Sequence, residues 1–179
     1  MKGIVFTEFL EFVEMHHGYE MVDEILEEVA PQSKGIYTAV GSYPFSEMLA
    51  LVMSFIGKSG IEINEALRLF GQHLFGAFEK NYPIFFEKSP NCFDFLASID
   101  NYIHIEVAKL YPDAELPRFR AEKLSDTHME LFYQSERKLA PLARGLMEKA
   151  LEHYNETASI DMEMLEADGS RVKFTIIKH

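Results

Sequence analysis

Two groups of residues have the types and spacing to do chemistry. The first is His104, inside NCFDFLASIDNYIHIEVAKLYP (91–112). Advancing about 100° per residue from Phe93 places Leu96, Ala97, Ile103, Val107, Ala108 and Leu110 on an arc of roughly 160°. His104 falls within that arc. An imidazole on the apolar side of a helix reads in two ways. It is a core histidine bonded to a neighbour, or it is a ligand to a metal or haem iron, which neutral imidazole binds readily.

The second group lies in HMELFYQSER (128–137), which alternates as a strand does. Met129, Leu131, Tyr133, Ser135 and Arg137 share one face, with alternate positions about 7 Å apart. That face starts apolar and ends as a phenol, a hydroxyl and a guanidinium. These groups are donors, and an arginine turned inward demands an anion. One reading pairs Arg137 with an internal carboxylate. The other gives the three donors to a ligand that bears two carboxylates, which arginine grips bidentately.

A zinc site would need three or four ligands. The other histidines (His16, His17, His73, His128, His153, His179) stand at no familiar spacing from His104, and Cys92 is the only cysteine. A lone imidazole suits haem iron better, because the porphyrin supplies four nitrogens itself. Haem also carries two propionates on one edge. On that reading His104 and the donor row are two halves of one site.

The elements that would position these residues follow from periodicity and punctuation. Helices are predicted over 3–16, 19–30 (stopped by Pro31), 44–60, 63–83 with Asn64 as cap, and 91–112, halted by Pro112. Pro83 and Pro90 bracket a short turn. Strands follow at 118–124 and 128–135, then a helix at 139–155. A hairpin over 159–178 turns at Asp168-Gly169. The fold class is therefore α+β. A helical N-terminal lobe packs on a C-terminal four-stranded antiparallel sheet with one helix, ordered ββαββ.

The order and spacing of these motifs resemble the bacterial haem–nitric oxide/oxygen-binding (H-NOX) domains, relatives of the haem domain of soluble guanylate cyclase. The resemblance runs from MKG at the start to the last hairpin. It rests on Tyr133-x-Ser135-x-Arg137, on His104 in YIHIEV, and on Pro117, thirteen residues after His104. It implies one H-NOX domain over 1–179, with a helical distal lobe of about 1–60 and a haem-holding remainder of about 61–179. It implies haem b buried between them, with His104 as the iron ligand. Tyr133, Ser135 and Arg137 would hold the propionates, and Pro117 would press the ring out of plane. Val5, Phe9, Leu74, Phe78, Leu142 and Leu146 match pocket positions, and Gly71 would let a helix approach the porphyrin face.

The resemblance also bears on the gas. Relatives that hold oxygen carry a distal tyrosine nine residues after the motif tyrosine, and here that residue is Leu142. A missing buried donor forfeits ~1–3 kcal/mol, and nitric oxide needs none. The expectation is a nitric oxide sensor, open to carbon monoxide also. Gln72 and His73 are the two other side chains that could supply a donor. Binding would weaken the iron–His104 bond and shift the two lobes. The readout would pass to a separate histidine kinase or cyclic-di-GMP enzyme. The alternatives are an oxygen- or redox-responsive haem sensor, a haem enzyme, and a haem-free binding module. An apolar distal lining argues against the enzyme, which needs a distal His or Arg.

Composition sets the outer limits. The 179 residues are 47% hydrophobic, enough for a sizeable core. A net charge of −12 disfavours nucleic acid and anionic membrane as partners. The N-terminal stretch has acids within its apolar run, so it reads as neither signal peptide nor membrane span. A single cysteine fits a reducing, cytoplasmic setting.

Overall fold

The computed structural model describes all 179 residues. Its helices are α1 (Gly3–His17), α2 (Tyr19–Val29), α3 (Phe45–Ser59), α4 (Ile63–Asn81), α5 (Ile84–Glu87), α6 (Cys92–Ser98), α7 (His104–Leu110) and α8 (Ala140–His153). A π-helical turn, Ile99–Ile103, joins α6 to α7. The strands β1 (Arg118–Lys123), β2 (His128–Gln134), β3 (Ala158–Met164) and β4 (Arg171–Lys178) form one antiparallel sheet in the order β1-β2-β4-β3. The α+β class and the ββαββ order agree with the sequence.

The alternation in β2 and β4 sets the buried face of the sheet. Met129, Leu131, Val172, Phe174 and Ile176 are all fully buried. Register pairs Met129 with Ile176 and Leu131 with Phe174. Ala143, Met147, Ala150 and Leu151 of α8 belong to the same core, as do Cys92, Phe93, Phe95 and Leu96 of α6. Burying one such side chain contributes ~1.5–3 kcal/mol.

A second core holds the N-terminal helices together. Phe6, Phe9, Phe12 and Val13 of α1 meet Leu51 and Phe55 of α3, and Phe70 and Leu74 of α4. Between the two cores runs a seam of half-buried apolar residues. Phe78 and Leu146 pack against both cores, Val5 and Leu142 against the N-terminal one, and Ile103, Val107 and Phe119 against the sheet core.

Helices α4 and α8 cross very closely, and two glycines permit it. A Cβ on Gly71 would lie 2.2 Å from the Leu142 carbonyl oxygen, and one on Gly145 would lie 1.9 Å from the Arg68 carbonyl oxygen. At Gly71 the missing side chain lets α8 approach α4. The Arg68 guanidinium closes the crossing by binding Glu65 and Glu148, each at 2.7 Å.

Other local expectations also change. Glu62, not Asn64, caps α4, its carboxylate accepting from the backbone N–H of Asn64 and Glu65. The segment between Pro83 and Pro90 contains the short α5. The fifth predicted helix is interrupted by the π turn, which inserts one residue into the helical phase. Beyond the turn Ala108 and Leu110 are exposed, and in α6 before it Phe95 is buried and Ala97 exposed. The connection from β3 to β4 turns at Asp168-Gly169 as expected. Asp168 Oδ1 accepts from the Ser170 N–H at 3.0 Å and its hydroxyl at 2.6 Å.

Candidate functional site

His104 is the first residue of α7, and its backbone N–H donates across the π turn to the Ile99 carbonyl. π turns of this kind recur where a helix must re-aim a side chain. The ring is largely buried, at 17% side-chain exposure. Its Nδ1 is buried and has no hydrogen-bond partner. Asp100 Oδ1 stands 3.5 Å from it, one turn upstream, close enough for electrostatic influence but too far for a good hydrogen bond. Burial lowers the His104 pKa, against the opposing pull of the Asp100 carboxylate. The imidazole is therefore held neutral, the form that ligates metals.

Asp100 is itself anchored. It accepts from the Phe119 N–H at 3.3 Å and faces Arg118 Nη1 at 3.5 Å. The carboxylate thus ties the π turn to the start of β1. Pro117 is half-buried just before β1, and its backbone lies close enough to act on the His104 charge.

Phe119 connects the two predicted halves. Its ring centroid lies 5.9 Å from that of His104 and 5.5 Å from that of Tyr133, its register partner on β2. Sequence reasoning placed Phe119 on a strand but gave it no role. The alternation of β1 against β2 carried that signal.

Tyr133 is buried at the end of β2, while the strand stops at Gln134. Ser135 and Arg137 therefore project from a turn and not from a continuing strand, which corrects the predicted row. The turn is built by the motif itself. The Tyr133 hydroxyl accepts from the Leu139 N–H at 2.9 Å, and Ser135 Oγ accepts from the Arg137 N–H at 3.1 Å. Each hydroxyl keeps its own proton to donate. Burial raises the Tyr133 pKa, so the phenol stays protonated.

The Arg137 side chain is 17% exposed. Its Nη2 donates to Glu115 Oε2 at 2.6 Å and its Nη1 to the Glu115 carbonyl at 3.2 Å. The guanidinium lies 5.4 Å from the Phe45 ring of α3. Burial lowers the pKa of the Met1 ammonium, and the charge of Arg137 lowers it further.

The residues expected to line a distal side fall into two sets. Phe9 and Leu74 lie inside the N-terminal core, each 2% exposed. Val5, Phe78, Leu142 and Leu146 are half-buried along the seam. The α4 polar side chains Gln72 and His73 are engaged elsewhere. Gln72 Nε2 donates to Glu148 at 2.6 Å, and His73 Nε2 meets Glu8 at 3.2 Å.

Two surface clefts lie elsewhere. One runs along Thr7, Leu10, Glu14 and Tyr37, the other along Glu62, Arg68 and Arg144. Neither is lined by His104, Tyr133 or Arg137.

The model of the Haem-NO-binding family matches residues 2–162. This chain belongs to that family. It is a haem-binding domain of a family of gas sensors, with the fold of bacterial H-NOX proteins. It is similar to the H-NOX protein from K. algicida, solved in the unliganded Fe(II) state, at 42% identity and a TM-score of 0.96. That match covers 100% of this chain and 97% of that one. The Fe(II)NO form of an H-NOX protein from S. oneidensis is 27% identical with a TM-score of 0.92, covering 100% of this chain and 99% of that one. The IWP-051-bound Fe(II)CO form from Shewanella woodyi is 39% identical with a TM-score of 0.86, covering 100% and 95%. No curated protein sequence matches the chain. No helix is long and apolar enough to cross a membrane.

Proposed function

We propose that this domain is a non-catalytic nitric oxide sensor that selects against oxygen. In this reading His104 carries the iron of haem b, and Tyr133, Ser135 and Arg137 hold the propionates. Val5, Phe9, Leu74, Phe78, Leu142 and Leu146 line the distal side. The observation that carries the reading is the connected geometry at His104. A neutral, buried imidazole at the end of a π turn is linked through Phe119 to a phenol, a hydroxyl and a guanidinium.

The residues present fit the group. The carboxylate that Arg137 binds is a surface one, and half-buried apolar side chains from both cores face one seam. Haem held there would supply a ferrous iron that binds a diatomic gas. The Asp100 carboxylate, 3.5 Å from Nδ1, raises the basicity of the His104 ring through its charge. Pro117 and Phe119 constrain the same side.

Selectivity follows from what the distal residues lack. Leu142 offers no donor, Gln72 is tied to Glu148, and His73 is tied to Glu8. Oxygen retention needs a donor worth ~1–3 kcal/mol when buried, whereas nitric oxide does not. A change in the hold on His104 would act on α7 and on the segment that follows it. That segment reaches the N-terminal lobe through Lys2 and Ser42, both bonded to Asp113. A two-lobe shift of this kind suits readout by a separate histidine kinase or cyclic-di-GMP enzyme. The single, fully buried Cys92 fits a reducing cytoplasm.

The test is one visible spectrum of the reduced protein in three atmospheres. Nitric oxide and carbon monoxide should each shift the Soret band, and air should leave no stable oxygen complex. A lasting oxygenated spectrum would overturn the selectivity, and a colourless protein would overturn the reading as a whole.

A further inference from the structure

The segment Tyr111–Pro117 crosses from the end of α7 to the start of β1 and carries two carboxylates. Asp113 faces the N-terminal lobe, binding Lys2 Nζ at 3.4 Å and accepting from the Ser42 hydroxyl. Lys2 Nζ also lies 4.7 Å from the centre of the Tyr111 ring. Glu115 turns to Arg137 and binds it twice, through its carboxylate and its backbone carbonyl.

The two partners differ sharply in exposure. The Arg137 side chain is 17% exposed and the Glu115 side chain 83%. The arginine is fixed by its turn and by Phe45, while the glutamate is a long side chain lying in water. A largely buried cation needs an anion, and here the only carboxylate bound to it comes from the surface. The Met1 ammonium also feels the charge of Arg137, so this end of the site holds two cations.

We propose that Glu115 is a displaceable counter-ion of Arg137, occupying the position that a carboxylate of the bound ligand takes. The inference rests on the haem reading above and adds a residue to it. With Glu115 in place, Arg137 is pre-aimed and neutralised before loading. On loading, one carboxylate replaces another on the same guanidinium fork. On unloading, Glu115 recaptures the arginine as the ligand carboxylate leaves, which assists release. Nothing is bonded covalently, Arg137 keeps an anion at both stages, and the displaced Glu115 carboxylate is left to water.

The direction of the effect separates this role from a structural one. A glutamate that only stiffened Arg137 would hold the ligand more firmly, and its loss would speed release. A competing glutamate speeds release itself, and its loss should slow it. Exposed ion pairs are worth enough for roughly a 2- to 5-fold change.

The experiment measures haem transfer from the purified ferric holoprotein to excess apomyoglobin, followed at the Soret band. Glu115→Gln keeps size and a neutral acceptor, and it should slow transfer about 2- to 5-fold. Asp113→Asn, on the same segment but away from Arg137, should stay within about 2-fold of the wild type. Arg137→Ala should speed transfer. A Glu115→Gln protein that loses haem as fast as the wild type, or faster, overturns the inference and leaves the haem reading standing. An equal slowing in Asp113→Asn also overturns it, since the effect would then be general charge. A wild-type protein that carries no haem overturns both.

Discussion

His104 Nδ1 and Asp100 Oδ1 face each other at 3.5 Å across a π turn, and the imidazole nitrogen has no closer partner. The carboxylate is held by the Phe119 N–H and by Arg118, so its position is set by β1 and not by the helix alone. An imidazole placed this way gains basicity at its other nitrogen. Asp100→Asn should keep the fold and the haem but weaken the iron–imidazole bond. The expected outcome is a lower iron–histidine stretching frequency by resonance Raman, with a roughly 10- to 100-fold loss in the strength of that ligation.

Leu142 sits half-buried on the seam between the two cores. Leu142→Tyr should introduce the missing donor on the distal side. The reduced variant should form an oxygen complex in air that the parent does not form. The gain corresponds to ~1–3 kcal/mol, or roughly 5- to 150-fold in oxygen affinity. Oxygen titration by visible spectroscopy reads it directly.

The crossing of α4 and α8 leaves no room at Gly145. A Cβ there meets the Arg68 carbonyl oxygen at 1.9 Å and the Gln72 nitrogen at 3.0 Å, both backbone atoms. Gly145→Ala should therefore force the helices apart and destabilise the domain by ~1–3 kcal/mol. At about 2–4 °C per kcal/mol for a domain of this size, a thermal melt resolves the change.

Cys92 is fully buried, within the fields of the Glu156 and Lys178 charges. Burial pushes its thiol up to about 12. The folded pKa exceeds the unfolded value of 9.0, so the folded state binds the extra proton between them. The associated stability is complete below pH 9 and declines as pH rises toward 12. At pH 8 the native thiol should resist a disulfide reagent such as DTNB and react at once in denaturant. Rapid labelling of the native protein would contradict the assignment.

The readable parts of this chain were those governed by local rules. Alternation in β2 and β4 announced the buried sheet face, and Asp168-Gly169 announced the last turn. The end of β2 was less legible. Tyr133, Ser135 and Arg137 keep the spacing of a strand, yet Ser135 and Arg137 leave it because Ser135 Oγ and the Tyr133 hydroxyl bind the backbone of the following turn. The π turn was not legible either. A straight helix already put His104 on an apolar arc, so nothing demanded an extra residue, and the exposure of Ala108 and Leu110 beyond the turn reveals it. The contact of Gly71 with the Leu142 carbonyl of α8 was not legible, because spacing cannot say which element approaches a glycine. Asp100 stands four residues before His104, a spacing that places two side chains on one helix face. That signal was present in the sequence and went unused. Glu115 carried none, since its partner lies 22 residues away across a turn.

The most direct test of the account is the spectrum of the reduced protein with His104 replaced by glycine. The parent should show ferrous haem ligated by one histidine. His104→Gly should lose that spectrum, together with most of its haem, and added imidazole should restore it by filling the space left by the ring. A His104→Gly protein that keeps the parent spectrum without imidazole would contradict the assignment of His104 as the iron ligand.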